Sequence, residues 1–162
     1  MLKTNNPLIF LIEESLIYKD LIVGYLQSNK YSNIKVFKKG EECLAELHLN
    51  PDIIILDYSS EGISGLDLMK KVKSTNPSID FIFLSAQNDV EIAISIMKIG
   101  ASDYVVKNDK APVRLVRAIE QAISNTKKEK MNKGFTIGVF GFFVLLLLLI
   151  AGIIFITLFF NL

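Results

Sequence analysis

The sequence predicts a doubly wound α/β fold: five parallel strands in one sheet with helices on both faces, then one helix long enough to cross a membrane. Three observations carry this. Within the first 125 residues, short runs rich in β-branched and aromatic residues alternate five times with stretches of helical spacing. The runs at 8–12, 52–56 and 80–84 are almost continuously apolar, as strands buried on both sides are. From Gly134 to Leu162 there is no Asp, Glu, Lys or Arg.

The strands are read as "LIFLI" (8–12), "NIKVF" (33–37), "DIIIL" (52–56), "DFIFL" (80–84) and "DYVV" (103–106), each bounded by polar or turn residues. The first helix, "SLIYKDLIVGYLQSN", has Ser15 as its N-cap and Leu16, Leu21 and Tyr25 at helical spacing. "GEECLAELHLN" follows the second strand. Its Cys43 is the only cysteine, read as a small buried apolar residue, and its His48 is the only histidine, read as a surface residue. "SGLDLMKKVKSTN" is capped by Ser64 and turns Leu66, Met69 and Val72 to one face. "NDVEIAISIMKIG" ends on Gly100, a C-cap residue. "APVRLVRAIEQAISN" starts with Pro112 near the first helical position. The domain is therefore expected over 1–125.

The segment 135–160 is 26 residues long, and a spanning helix needs about 20. Residues 1–110 carry a net charge of −3, and residues 111–133 a net charge of +4. Lys127, Lys128, Lys130 and Lys133 stand in a short linker, 126–134, directly before the span. The positive-inside rule puts that side in the cytoplasm, and anionic headgroups of the lipid bilayer attract the same lysines. The expectation is a single-pass protein of the inner (cytoplasmic) membrane, held by its tail. "PLIFLI" is too short for a signal peptide and runs into Glu13 and Glu14. The basic stretch is too short, and too close to the bilayer, to argue for nucleic acid.

In an open α/β sheet, ligands bind beyond the carboxyl ends of the strands. Strand 1 delivers Glu13 and Glu14 there, strand 3 Asp57, strand 4 Ser85 and strand 5 Lys107. Crowded carboxylates repel, and a divalent cation removes that conflict. Hard oxygen donors suit Mg²⁺, which takes one or two carboxylates and keeps waters. Each residue alone has a plainer role: Asp57 as a turn-starter, Ser85 as a helix cap, Lys107 as a solvated lysine, Tyr104 as core.

At these positions the sequence resembles the receiver domain of two-component response regulators, over residues 7 to about 124. "PDIIILDYSSEGISGLDLMKKVK" is similar to the family's segment around its phosphorylated aspartate, which falls on Asp57. "FIFLSAQNDVEIAISIMKIGASDYVVK" is similar to the segment holding its switch hydroxyl, switch aromatic and phosphate-binding lysine, which fall on Ser85, Tyr104 and Lys107. The resemblance implies a flavodoxin-like receiver fold. It also implies Mg²⁺ held by Glu13, Glu14 and Asp57, and a phosphoryl group taken by Asp57 from a sensor histidine kinase or phosphotransfer protein. Lys107 and Ser85 would bind that phosphoryl. Tyr104 would turn inward in response, with Ser59 and Gln87 flanking the phosphate. Such a chain is a signalling module, catalysing only its own phosphoryl transfer and dephosphorylation.

Three departures stand beside the resemblance. The acidic pair is Glu-Glu, where the family carries two aspartates or one of each. Glu61 and Asn108 stand where it usually has prolines. A degenerate receiver acting as a phosphorylation-independent membrane adaptor is therefore the rival reading. The output expected is contact with a membrane-associated protein or with a second copy of the chain. On the fourth helix, Val90, Ala93, Ile94 and Met97 are expected to be buried. Ile92, Ile96 and Ile99 then form a second stripe, either a docking surface or core covered by neighbouring helices.

Overall fold

A computed structural model describes residues 6–59 and 62–160. The elements run β1 (Ile9–Ile12), α1 (Leu16–Ser28), β2 (Ile34–Phe37), α2 (Gly40–Ala45), a 3₁₀ turn (Leu47–Leu49), β3 (Ile53–Asp57), α3 (Gly65–Thr75), β4 (Asp80–Ser85), α4 (Val90–Ile99), β5 (Asp103–Val106) and α5 (Ala111–Phe160). The five strands form one sheet in the order β2-β1-β3-β4-β5, every pairing parallel. Every strand lies where the sequence places it, to within one residue at either end. The chain divides into two compact units, 1–123 and 124–162.

Strand side chains alternate between the two faces of a sheet, and that alternation splits the core in two. Ile9, Leu11, Ile53, Ile55, Ile82, Leu84 and Val105 pack with Ile22 and Leu26 of α1 and Leu115 and Ile119 of α5. Phe10, Ile12, Ile54, Leu56, Phe81, Phe83 and Tyr104 pack with Cys43 of α2, Leu68, Met69 and Val72 of α3 and Ile96 of α4. The central strands are thus buried on both faces, which is why they read as unbroken apolar runs. Each fully buried Leu, Ile or Phe contributes about 1.5–3 kcal/mol relative to leaving it in water.

The helix ends follow the local chemistry. Ser15 Oγ accepts the N–H of Tyr18, and Ser64 Oγ accepts the N–H of Asp67. Gly100 ends α4 with φ at 107°, a left-handed conformation that suits glycine. Cys43 is fully buried, and burial pushes its thiol up to about 12. His48 is exposed, in the 3₁₀ turn. Gly65 begins α3 where a Cβ would come 2.8 Å from Leu56 Cδ2 and 2.9 Å from Phe83 Cε1, both fully buried side chains. Gly65→Ala is expected to lower stability by about 1–3 kcal/mol through overpacking, measured as a fall in the urea midpoint.

On two helices the sheet selects which apolar residues are buried. On α1, Leu16 and Leu21 are exposed, and Ile22 and Leu26 are the fully buried residues. On α4 the two expected faces are mixed, with Ala93 packed against the core as expected. Ile96 is fully buried and Ile92 packs beside it, so with only Ile99 exposed the Ile92–Ile96–Ile99 stripe is no free surface. Val90, Ile94 and Met97, expected inside, are exposed, and line an open groove with Tyr104 and Arg114. α4 is apolar around most of its circumference, so 3.6-residue spacing fits either face. The sheet decides, by seating Ile96 among Phe81, Phe83 and Tyr104.

In the second unit, the residues read as a linker, 126–134, are helical and belong to α5. Val139–Phe160 is long and apolar enough to cross a membrane by length and composition, and it is unburied. Glu61, Asn161 and Leu162, and the side chains of Lys127, Lys130 and Lys133, lie outside the described residues.

Candidate functional site

The same alternation that splits the core sorts the functional side chains. Glu13 and Asp57 continue the register of Leu11 and Ile55, and Lys107 continues that of Val105, all on the α1–α5 face. Ser85 and Tyr104 fall on the other face, toward α4. The carboxyl edge therefore carries a charged cluster and a hydroxyl–aromatic pair on opposite sides of the sheet.

The charged cluster centres on the Lys107 ammonium, 2.7 Å from Glu13 Oε2 and 2.7 Å from Asp57 Oδ2. Glu13 and Asp57 are both buried, and the Lys107 side chain is 15% exposed. Each carboxylate spends its other oxygen on the backbone. Glu13 Oε1 accepts the Ser15 N–H at 3.0 Å, and Asp57 Oδ1 accepts the Ser59 N–H at 3.0 Å. Asp57 thus both starts a turn and delivers its charge to a site. Charge-assisted bonds of this length fix all three groups, and one cation offsets only one of the two anions.

Tyr18 completes the enclosure, and the sequence reading missed it. Its ring lies 4.5 Å from the Lys107 ammonium. Its hydroxyl is buried and, alone among the buried side-chain polar atoms described, has no hydrogen-bond partner. Burial first, then the charges of Glu13 and Asp57, push the phenol up to about 12, so it keeps its proton at neutral pH. Glu41 was also missed. Its carboxylate accepts the Ile63 N–H at 2.8 Å and so holds the chain that follows Asp57. Backbone hydrogen bonds hold that carboxyl below the usual range. Nothing local to Glu41 signals a partner 22 residues away; Tyr18, by contrast, lies one helical turn after the Ser15 cap that leads out of β1.

On the opposite face, Ser85 and Tyr104 share one residue. Ser85 Oγ accepts the Gln87 N–H at 3.0 Å, and the Tyr104 hydroxyl donates to the Gln87 carbonyl at 2.8 Å. Tyr104, expected to turn inward only once a phosphoryl is bound, is already buried, because Gln87 satisfies its hydroxyl. The Gln87 and Ser59 side chains are exposed, and both residues touch the site through backbone N–H groups.

The donor set suits a hard divalent ion in part. Glu13 and Asp57 offer two carboxylates on one cation, which is the number Mg²⁺ takes when waters fill its remaining positions. Glu14 does not join them: it is exposed, and no group of three His, Cys, Asp or Glu side chains that could hold a metal occurs among the described residues. β1 ends at Ile12, and the loop that brings Glu13 inward to the Ser15 N–H leaves Glu14 outside.

Fold and cluster together define an α/β domain of the flavodoxin-like class. The chain belongs to the response regulator receiver domain family, whose model matches residues 9–120. It is 31% identical over 130 residues to the transcriptional regulatory protein YesN of Bacillus subtilis, covering 77% of this chain and 34% of that protein. It is 33% identical over 101 residues to the DNA-binding transcriptional regulator NtrC of Salmonella typhimurium, covering 60% of this chain and 21% of that one. The chain thus spans about a third or less of these relatives. The signal receiver domain of a putative Luxo repressor protein from Vibrio parahaemolyticus matches with a TM-score of 0.70 at 23% identity, covering 78% of this chain and 96% of that one. Receiver domains are signalling domains, phosphorylated by histidine kinases or phosphotransfer proteins, and typically bind Mg²⁺ at the acidic site.

Proposed function

We propose that this chain is a membrane-tethered phosphoacceptor, with Asp57 as the residue modified. The observation that carries the reading is the Lys107 ammonium bridging Asp57 and Glu13 at 2.7 Å each. An Asp57 oxygen attacks the phosphorus of a phosphohistidine on a sensor kinase or phosphotransfer protein. The O–P bond forms, the P–N bond breaks, and the imidazole nitrogen keeps the electron pair. Such transfer has a loose transition state, so the protein mainly positions groups and balances charge. Lys107 pairs with a phosphoryl oxygen. Glu13 and Asp57 are the residues that would hold Mg²⁺, which supplies neutralisation of the incoming oxygens.

The Ser85 hydroxyl accepts from Gln87 and retains its own proton to donate to a phosphoryl oxygen. Drawing Ser85 toward the phosphoryl strains the Gln87 link and, through it, Tyr104. That is a two-state element biased by one local charge change. The output is a protein contact at the membrane, on the side where the basic residues precede the span.

The exposed position of Glu14 favours a second reading, a receiver fold used as a constitutive membrane adaptor. Incubating the full chain in detergent micelles with acetyl phosphate over a range of Mg²⁺ separates the two. Phosphoryl adducts in intact-mass spectra that rise with Mg²⁺ and disappear with EDTA are expected. No adduct at any Mg²⁺ concentration would establish the adaptor instead.

A further inference from the structure

Lys107 has three N–H donors. Two meet the carboxylates of Glu13 and Asp57, and the remaining face of the ammonium is turned to the ring of Tyr18. We propose that Tyr18 is a positioning residue: its ring is the seat that holds the Lys107 ammonium over the phosphoacceptor. For its effect on phosphoryl uptake the proposal rests on the function proposed above. The seat itself is a geometric matter, and is read separately.

Three features make the ring a seat rather than ordinary packing. Ser15, which caps α1 through the Tyr18 N–H, also gives its own N–H to Glu13, so one residue fixes both the ring and the acid it faces. The ring packs against the α1–α5 core cluster, so its position is set by the fold. The hydroxyl makes no bond that would explain why a tyrosine is placed there. A flexible four-carbon lysine stem has no stiffness of its own. Without the ring, the ammonium is held only by the two carboxylates, which must partly release it when a metal or phosphoryl arrives. With the ring, it stays within reach of the incoming oxygens.

The test uses the full chain in detergent micelles, labelled with ¹³C at the lysine ε-carbons, with Lys107 assigned by Lys107→Arg. An aromatic face at this distance shifts the Lys107 ε-methylene protons upfield of the other lysines. That shift is expected in wild type and Tyr18→Phe and lost in Tyr18→Leu. In parallel, uptake from acetyl phosphate is expected to slow about three- to tenfold in Tyr18→Leu, the size of a partly desolvated cation–π contact, and to recover in Tyr18→Phe. A merely structural role would move the melting temperature and leave phosphoryl uptake by folded Tyr18→Leu at the wild-type rate, which would also overturn the proposal. An unshifted Lys107 in wild type, or Tyr18→Phe falling with Tyr18→Leu, would overturn the proposal. If Tyr18→Leu does not fold, the Lys107 shift in wild type and Tyr18→Phe still decides it. If wild type takes up no phosphoryl, the phosphoacceptor reading fails while the shift still judges the seat.

Discussion

Asp57→Ala is expected to abolish phosphoryl uptake while leaving the fold intact. The substitution removes the attacking oxygens, and no other described carboxylate can take their place. Glu13 lies beside the same ammonium but is tied by Oε1 to the Ser15 N–H and by Oε2 to Lys107. Glu14 is exposed to water. Stability should hold or rise slightly, because the variant leaves one buried carboxylate with one ammonium instead of two. The check is intact-mass spectrometry after acetyl phosphate treatment, alongside a thermal melt of the same sample. A melt at or above the wild-type temperature, together with absent adduct, is the expected pair.

Lys107→Met is expected to fail on both counts. Methionine fits the stem's volume but leaves Glu13 and Asp57 buried with no cation between them. Breaking a buried pair in this way costs about 3 kcal/mol or more. The loss should be partly recovered in the double variant Lys107→Met, Glu13→Gln, which removes one of the stranded charges. Urea midpoints of the two single variants and the double variant form a cycle whose coupling measures the pair. Phosphoryl uptake stays low in both Lys107 variants, since nothing replaces the ammonium at the phosphoryl oxygens. Additive losses would mean that the two groups are not coupled in solution.

How far the sequence foretold this site depends on which physical rule applied. Strand positions were legible because a buried parallel strand leaves an unbroken apolar run, as Ile53 to Leu56 does. The run's end then placed Asp57 at the edge, and two-residue alternation places Glu13, Asp57 and Lys107 on a common face. Glu14 shows where that reasoning stops. It is adjacent to Glu13 in the chain, but once the strand ends the direction of a side chain depends on which loop N–H it finds. Tyr18 was passed over although it lies one turn after the Ser15 cap, because a tyrosine in the first turn of a helix reads as core until lysine and helix are seen together. The α4 stripe stayed open between docking surface and core because Ile92, Val90, Ile94, Ile96, Met97 and Ile99 give the helix two apolar faces, and only the sheet selects the core reading for Ile92 and Ile96. The basic residues and the apolar run of the second unit were plain from composition alone.

The central claim is that Asp57 is the phosphoacceptor of a site built on Glu13 and Lys107. Its most direct test is peptide mapping of the full chain after acetyl phosphate and Mg²⁺ treatment. The account predicts a base-labile, hydroxylamine-sensitive phosphoryl group confined to the peptide bearing Asp57 and reduced in Lys107→Met. A phosphoryl group on any other peptide, or none on a wild-type chain shown to be folded, would contradict it.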